Sequence, residues 1–484
     1  MRDEPLCTVR NLKKHYPITR GWLRREVGRV RAVDGVSFEI ARGEALGVVG
    51  ESGSGKTTAA HAVLGLEEPT AGEVRFDGTP VSSLSGAALT EFRRRTQLIV
   101  QDPNDALDPR MTVGEAVAEP LRIHGLDDAD RRRAIVADVL ERVGLSADDA
   151  DRHPHEFSGG EKQRISVARA LVVNPDLIVA DEPTSALDAR VRSDILGLLD
   201  RIRREFDIAV LFVSHDLDVV RRFCDRVAVM YLGEIVERGH TTDVLNDPAH
   251  PYTRVLLSAV PSLDPTDRRL GRPLTDTVPE PSDPPAGCRF HPRCPAVIPP
   301  AELSVPDETW RAIASLRFSV QAGELPEEAV PAGGRDEGAH RADDEVTPAT
   351  VRRAVGLSTA LSDAAAERAV EEAAAAIADG DVDAADERLA AAFPTVCERE
   401  SPETVAIDSG SAAETDPTDV TDADPTENAH ATGRTVRCLR YDPTVEADPP
   451  NGPENGKNAR DIDEDARDID EDARDIDEDE PGGN

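Results

Sequence analysis

Apolar and polar positions along this chain follow two rhythms. Ala45–Val49, Leu177–Ala180 and Ala209–Val213 are apolar throughout. Such short runs, closed by polar or turn residues, predict strands buried on both faces. Thr8–Leu12, Val36–Ile40, Gly72–Phe76 and Gln97–Val100 predict further strands, and Arg20–Arg31 reads as a long basic connection between the first two. The second rhythm is helical. Val113–His124, Arg131–Val143 and Glu161–Val173 carry apolar residues at helical spacing, among them Ile135, Val139 and Val143. Strands that alternate with helices predict an α/β domain.

Beyond residue 300 the pattern changes. Asp307–Val320 predicts a short helix with Trp310, Ile313, Ala314 and Phe318 on one side. Pro348–Ala378 is Ala-rich with apolar residues near helical spacing, Asp379-Gly380 turns it, and Val382–Phe393 predicts a second helix. Together these read as an acidic helical hairpin, solvated and packed on itself. Gly323–Thr347 and residues 399–435 have the composition of disordered linkers. The tail repeats Ala-Arg-Asp-Ile-Asp-Glu-Asp from Ala459, Ala466 and Ala473, too acidic to bury a core.

Charge sharpens this division. Of the net −38, residues 1–260 hold −7 and the remainder −31. A nucleic-acid partner needs a basic face, so this balance argues against one. Lys occurs only at 13, 14, 56, 162 and 457. Acid excess with scarce Lys fits a protein from a high-salt cytoplasm, and biased codon usage plus one acidic tail fits equally. Around Trp22, Arg20, Arg24, Arg25, Arg29 and Arg31 form a basic loop that suits a membrane surface or a partner, and reads more readily as a solvated β-hairpin loop. Met1–Arg10 is polar and predicts no secretory signal, and no apolar run has the length of a membrane span. Six Cys in 484 residues are no disulfide framework.

The chemistry centres on Gly50-Glu51-Ser52-Gly53-Ser54-Gly55-Lys56-Thr57, which fits the phosphate-loop pattern G-x-x-x-x-G-K-[ST]. It sits between a predicted strand and the helix that Thr58 begins. The glycines let backbone N–H groups turn inward on phosphate oxygens, Lys56 reaches the outer phosphates, and the Thr57 hydroxyl suits Mg²⁺. Downstream, the strand from Leu177 ends in Asp181 and Glu182. Asp181 is placed to hold Mg²⁺, with Gln101 as a further ligand, and Glu182 to act as general base on water. His215, after the Ala209 strand, is placed to contact the outermost phosphate. Ser158-Gly159-Gly160-Glu161 opens the next helix and makes a second anion-binding terminus. Tyr16 lies where an aromatic ring would stack on adenine.

In this order, Gly50–Thr57, Gln101, Ser158–Gln163, Asp181–Glu182, Asp188 and His215 resemble the ATP-binding cassette (ABC) family: phosphate loop, Q-loop, signature, Walker B pair, D-loop and switch His. One departure is Glu161, where the family usually has Gln. The resemblance implies a P-loop α/β core with a helical signature subdomain and an antiparallel β subdomain. It also implies that ATP sits between one cassette's phosphate loop and its partner's signature. Rival readings are a DNA-repair or translation ABC ATPase and a regulatory ATP-binding protein. The single phosphate loop and acidic surface argue against the first, and Glu182 with His215 against the second.

Leu107–Gly114, Pro154–Gly160, Tyr231–Glu237, His250–Thr253, Ser258–Pro261 and Gly287–Pro295 resemble, more narrowly, the ATP-binding subunits of oligopeptide/dipeptide importers. This implies two membrane permease subunits, a second and different ATP-binding subunit, an extracytoplasmic binding protein contacted indirectly, and a peripheral place on the cytoplasmic membrane face. Nickel and sugars are minority substrates among such proteins. The expected division is a cassette at 1–262, a family extension at 263–300, an acidic insertion at 301–393, the rest of the extension at 394–442 and an acidic tail at 443–484. The resemblance also implies that Cys288, Cys294, Cys397 and Cys438 hold an iron–sulfur cluster or Zn²⁺, with four ordinary thiols as the alternative.

Overall fold

The computed structural model describes residues 4–22, 24–185, 187–259, 272–326, 329, 346–357, 360–407 and 433–445. The acidic repeats, and most of the two linkers expected at 323–347 and 399–435, lie outside them.

The first sheet contains β1 (Cys7–Arg20), β2 (Arg25–Ile40), β4 (Ala71–Phe76) and β5 (Thr79–Pro80), in the order β2-β1-β4-β5 and antiparallel where paired. This is the expected antiparallel β subdomain, with one correction. The basic stretch 20–31 is not a connection. Most of it is strand, because β1 and β2 pair as one long ribbon from Cys7↔Ile40 out to Arg20↔Arg25. Backbone pairing carries the ribbon where no apolar face announces it. Ile18, Trp22 and Val27 are exposed there, Trp22 at 92%.

The second sheet begins with β3 (Ala45–Val49), β6 (Thr96–Ile99), β7 (Leu177–Asp181), β8 (Ala209–Ser214), β9 (Arg226–Tyr231) and β10 (Glu234–His240). The strands β11 (Val405–Ala406) and β12 (Thr435–Val436) complete it, in the order β11-β12-β10-β9-β3-β8-β7-β6. Strands β9, β3, β8, β7 and β6 run parallel. Every residue of β3, β7 and β8 is buried, as their unbroken apolar runs require. Strand β12 pairs antiparallel with β10 through Glu237↔Val436 and Arg238↔Thr435, so the distant end of the chain extends the central sheet.

Helices Val113–Ile123, Ala129–Arg142 and Gly159–Leu171 form a helical layer whose apolar residues share the core with the second sheet. The helix expected at Asp307 runs to Ala322 and ends at Gly323 in the left-handed conformation. The Ala-rich stretch is not one helix but two, Pro348–Ala354 and Ala364–Ala378. Gly356, at φ 78°, lies just past the first. The hairpin of Ala364–Ala378 with Val382–Ala392 is present and its helices pack on each other, yet it is not solvated on all sides. Val370, Ile377, Leu389 and Phe393 are buried in the same core as the central domain. Arg317 ties them in by donating to the Phe393 carbonyl at 2.6 Å and pairing with Glu398. Thr395 Oγ1 donates to the Ile298 carbonyl at 2.6 Å.

Candidate functional site

Four adjacent strands, β3, β8, β7 and β6, end side by side. Their carboxyl ends deliver the phosphate loop, His215, Asp181 with Glu182, and Gln101. A ligand cavity at the carboxyl edge of a parallel sheet follows from this topology. The cavity is lined by Val30, Ala32, Ser52, Gly53, Gly55, Lys56, Thr57, Thr58, Gln101, Glu182, His215 and Pro281.

The loop's shape depends on glycine. Gly55 caps the helix Lys56–Val63 at φ 101°, and a Cβ there would lie 1.9 Å from the Ala32 carbonyl oxygen. At Gly50 a Cβ would lie 2.1 Å from the Met230 carbonyl oxygen. No side chain fits either place. Lys56 is buried and donates to the Gly50 and Glu51 carbonyls at 2.9 Å each. Burial lowers its pKa, while the Glu182, Asp181 and Glu51 carboxylates oppose that effect. The ammonium is thus held folded against its own loop, ready to exchange carbonyls for phosphate oxygens.

Thr57 Oγ1 donates to Asp181 Oδ1 at 3.3 Å. Burial raises the pKa of Asp181, and the Thr57 hydroxyl partly offsets this. Glu182 adopts φ 47°, a conformation rare for a side chain of its size, and its N–H donates to the Val213 carbonyl at 2.9 Å. That backbone twist turns its carboxylate across the cavity. Gln101 Nε2 donates to Glu182 Oε2 at 3.0 Å, and His215 Nδ1 lies 3.0 Å from Glu182 Oε1. Gln101 and His215 are exposed and Glu182 is half-buried. A carboxylate oriented from both sides yet open to solvent can take a proton from water attacking a phosphate.

Other expected positions are placed differently. Glu51 does not line the cavity. Its carboxylate forms a two-point ion pair with Arg293 at 2.7 and 3.0 Å, and its N–H donates to the Tyr252 hydroxyl at 2.9 Å. Gly50, Ser54 and Asp181 also lie behind the lining, Ser54 buried. Tyr16 is absent from the lining; its ring lies under the Lys14 ammonium and its hydroxyl bonds Glu67. Val30, Ala32 and Pro281 line the cavity instead, and Arg31 N–H donates to the Pro281 carbonyl at 3.0 Å. No local motif marks these residues.

Ser158 caps the helix Gly159–Leu171 in a reciprocal capping box with Glu161. The Ser158 hydroxyl donates to Glu161 Oε2 at 2.7 Å and its N–H donates there at 2.8 Å, which lowers the Glu161 pKa. The acid at this position is therefore occupied as a cap. Ser158, Gly159, Gly160 and Glu161 do not line their own chain's cavity. Asp188 is exposed and caps the helix Ala189–Phe206 through the Arg190 and Val191 N–H groups.

Cys288, Cys294, Cys397 and Cys438 line one small cavity with His250, Phe290 and Ile298. The Cys288 N–H donates to the Cys397 carbonyl at 2.8 Å across the insertion. Burial, then the neighbouring thiols, push Cys288 and Cys294 far up. Burial pushes Cys438 up to about 12. Among the described residues, no group of three or more His, Cys, Asp or Glu is set to hold a single metal ion. Cys7 and Cys224 are buried in packing positions.

Comparison with known proteins agrees with this geometry. Residues 33–185 match the ABC transporter family, and residues 236–299 match the C-terminal region of oligopeptide/dipeptide transporters. Residues 307–410 match a domain of unknown function, DUF8228. A Brucella ovis protein named for peptide import and ATP binding is 47% identical over 306 residues, which cover 63% of this chain and 94% of that protein. The oligopeptide transport ATP-binding protein AppF of Bacillus subtilis is 44% identical, with the same two coverages. The glutathione import ATP-binding protein GsiA of Salmonella paratyphi A is 51% identical over 280 residues, 58% of this chain and 45% of that longer protein. With the phosphate loop, the Walker B carboxylates and the switch histidine assembled on one sheet edge, the chain belongs to the ATP-hydrolysing subunits of ABC importers of the oligopeptide/dipeptide type.

Proposed function

We propose that this subunit powers import of oligopeptides or dipeptides from the cytoplasmic face of the cell membrane, with Glu182 as the general base. The observation that carries the catalytic part is the Glu182 carboxylate set between Gln101 and His215 at 3.0 Å each. The peptide assignment rests on the extension's likeness and the relatives' names. In this reading Tyr16 stacks on adenine at the edge of the site, and Val30, Ala32 and Pro281 line the cavity beside it.

The donors Thr57, Asp181 and Gln101 are all oxygen-bearing, which suits Mg²⁺ beside ATP phosphates. The ion would neutralise charge developing on the transferred phosphoryl group. Around it, Lys56 binds the outer phosphates, Glu182 accepts the water proton, and His215 orients Glu182 and meets the γ-phosphate. Ser158, Gly159, Gly160, Glu161 and Asp188 serve the partner's site, because they lie away from their own. The partner is a second, homologous but different ATP-binding subunit, and the pair docks on two permease subunits that an extracytoplasmic binding protein feeds.

The four cysteines line one cavity, and four thiolates are the donor set of an iron–sulfur cluster or of one Zn²⁺. Such a cluster would cross-link the two halves of the extension. Residues 301–393 are an insertion into that extension, and the chain's acidity is an adaptation to salt.

Co-purifying the full chain with its membrane partners and measuring ATP hydrolysis in proteoliposomes tests the assignment. Stimulation by a peptide-loaded binding protein supports it. Stimulation by glutathione, nickel or a sugar instead reassigns the cargo, and a complex with no permease overturns import.

A further inference from the structure

The hairpin between Cys288 and Cys294 reaches the nucleotide site at two points. Arg289, next to the first cysteine, pairs with Asp34 of β2 and donates to the Leu232 carbonyl. Asp34 stands two residues beyond Ala32, which lines the ATP cavity. Arg293, next to the second cysteine, pairs with Glu51 inside the phosphate loop at 2.7 and 3.0 Å. Its side chain is 5% exposed and its guanidinium lies 3.4 Å from the Tyr231 hydroxyl. Burial opposes the charge on Arg293, but its hydrogen bonds to Glu51 and Tyr231 raise its pKa overall. Tyr252, whose ring packs tilted against Tyr231 and edge-on against Phe290, closes the far side by accepting the Glu51 N–H. At its other end the hairpin is fixed by Cys288, whose N–H bonds the Cys397 carbonyl, and by the four-thiol cavity.

A phosphate loop works through the directions of its backbone N–H groups, and a fixed Glu51 fixes two of its neighbours. A buried two-point guanidinium–carboxylate pair defines both distance and plane, which a lysine would not. The loop is therefore braced from the extension, by a segment that no phosphate-loop motif contains.

We propose that Arg293 is a positioning residue for the ATP site, and that the Cys288–Cys294 hairpin is a strut through which the four-cysteine anchor sets ATP affinity. The positioning role rests on the proposed ATP site alone; the strut rests also on the four thiols holding the anchor together.

The test is a double-mutant cycle on the full chain, with the dissociation constant of ATP read by equilibrium titration. Arg293→Met and Glu51→Gln should each weaken ATP binding about tenfold, the scale of one lost charged hydrogen bond. The double variant should be no weaker than the weaker single variant, because both remove one interaction. Arg293→Lys should fall between wild type and Arg293→Met. In hydrolysis assays the loss should appear in KM for ATP more than in kcat. Should Arg293→Met fail to fold, Glu51→Gln, half-buried and isosteric, carries the test together with Cys397→Ser. Cys397→Ser should weaken ATP binding in the wild-type background and add nothing in Glu51→Gln. Singles whose effects multiply, or unchanged ATP affinity with only a lowered melting temperature, would overturn the positioning role. Unchanged affinity in Cys397→Ser would overturn the strut.

Discussion

His215 Nδ1 lies 3.0 Å from Glu182 Oε1, so the residue closing one central strand meets the carboxylate closing its neighbour. The contact exists because β7 and β8 are parallel and adjacent, and both release their chain at the same edge. Gln101, from the far side of β7, meets the other carboxylate oxygen. The carboxylate proposed as the base is thus oriented by the chain's own side chains.

Nucleotide binding, as distinct from hydrolysis, should depend on Lys56. Its ammonium is the buried cation facing the loop carbonyls. Lys56→Ala should abolish ATP binding, at least a hundredfold by about 3 kcal/mol of charged contacts to phosphate. Circular dichroism should remain that of the wild type, since Gly50 and Gly55 still shape the loop. Retained ATP binding in a filter or fluorescence assay would remove Lys56 from its role.

Acid should weaken the fold through His250. This imidazole is buried, accepts the Tyr252 N–H at Nδ1 (3.0 Å), and is lowered by burial from 6.5 to about 3. The folded chain keeps it neutral where the unfolded chain protonates it. Between about pH 6.5 and 3 the unfolded state therefore binds more protons, and stability falls as pH drops. Above pH 6.5 the contribution is fully present. His250→Gln should flatten part of the fall in melting temperature between pH 6.5 and 4. An identical slope in the variant would contradict this.

Much of this architecture was legible before folding. Ala45–Val49, Leu177–Ala180 and Ala209–Val213 announce buried strands by composition alone, and Gly50–Thr57, Asp181–Glu182 and His215 follow their ends at once. What stayed hidden is long-range. Nothing local tells that Arg293 will find Glu51, or that Pro281 will line the cavity, because each contact spans more than 200 residues. The length of the ribbon's strands through Arg20–Arg31 is not legible in the sequence, because backbone pairing holds it with both faces largely wet. That the helical hairpin also docks on the central domain is hidden because Ala-rich helices show little amphipathic contrast, although Val370 and Ile377 bury into the shared core.

Salt should stabilise this chain. At a net charge of −38 self-repulsion is large, and screening shortens from about 10 Å at 0.1 M salt to about 3 Å at 1 M. Melting temperature should rise steadily from dilute buffer to molar KCl. A flat curve would leave the acidic tail, rather than adaptation to salt, as the origin of the charge.

The cysteine cavity makes its own prediction. Anaerobically purified protein should contain iron and sulfide in stoichiometric amounts, lost in Cys397→Ser. Stoichiometric zinc without sulfide would replace the cluster with a single ion. Metal-free native protein with four thiols open to alkylation would remove the site altogether.

The central claim is that Glu182 is the base. Glu182→Gln keeps the side chain's shape and leaves Thr57 and Asp181 untouched, so ATP should bind as in the wild type. Steady-state hydrolysis by the assembled complex should fall about a hundredfold or more. ATP turnover by that variant within a few-fold of the wild-type rate would contradict the account.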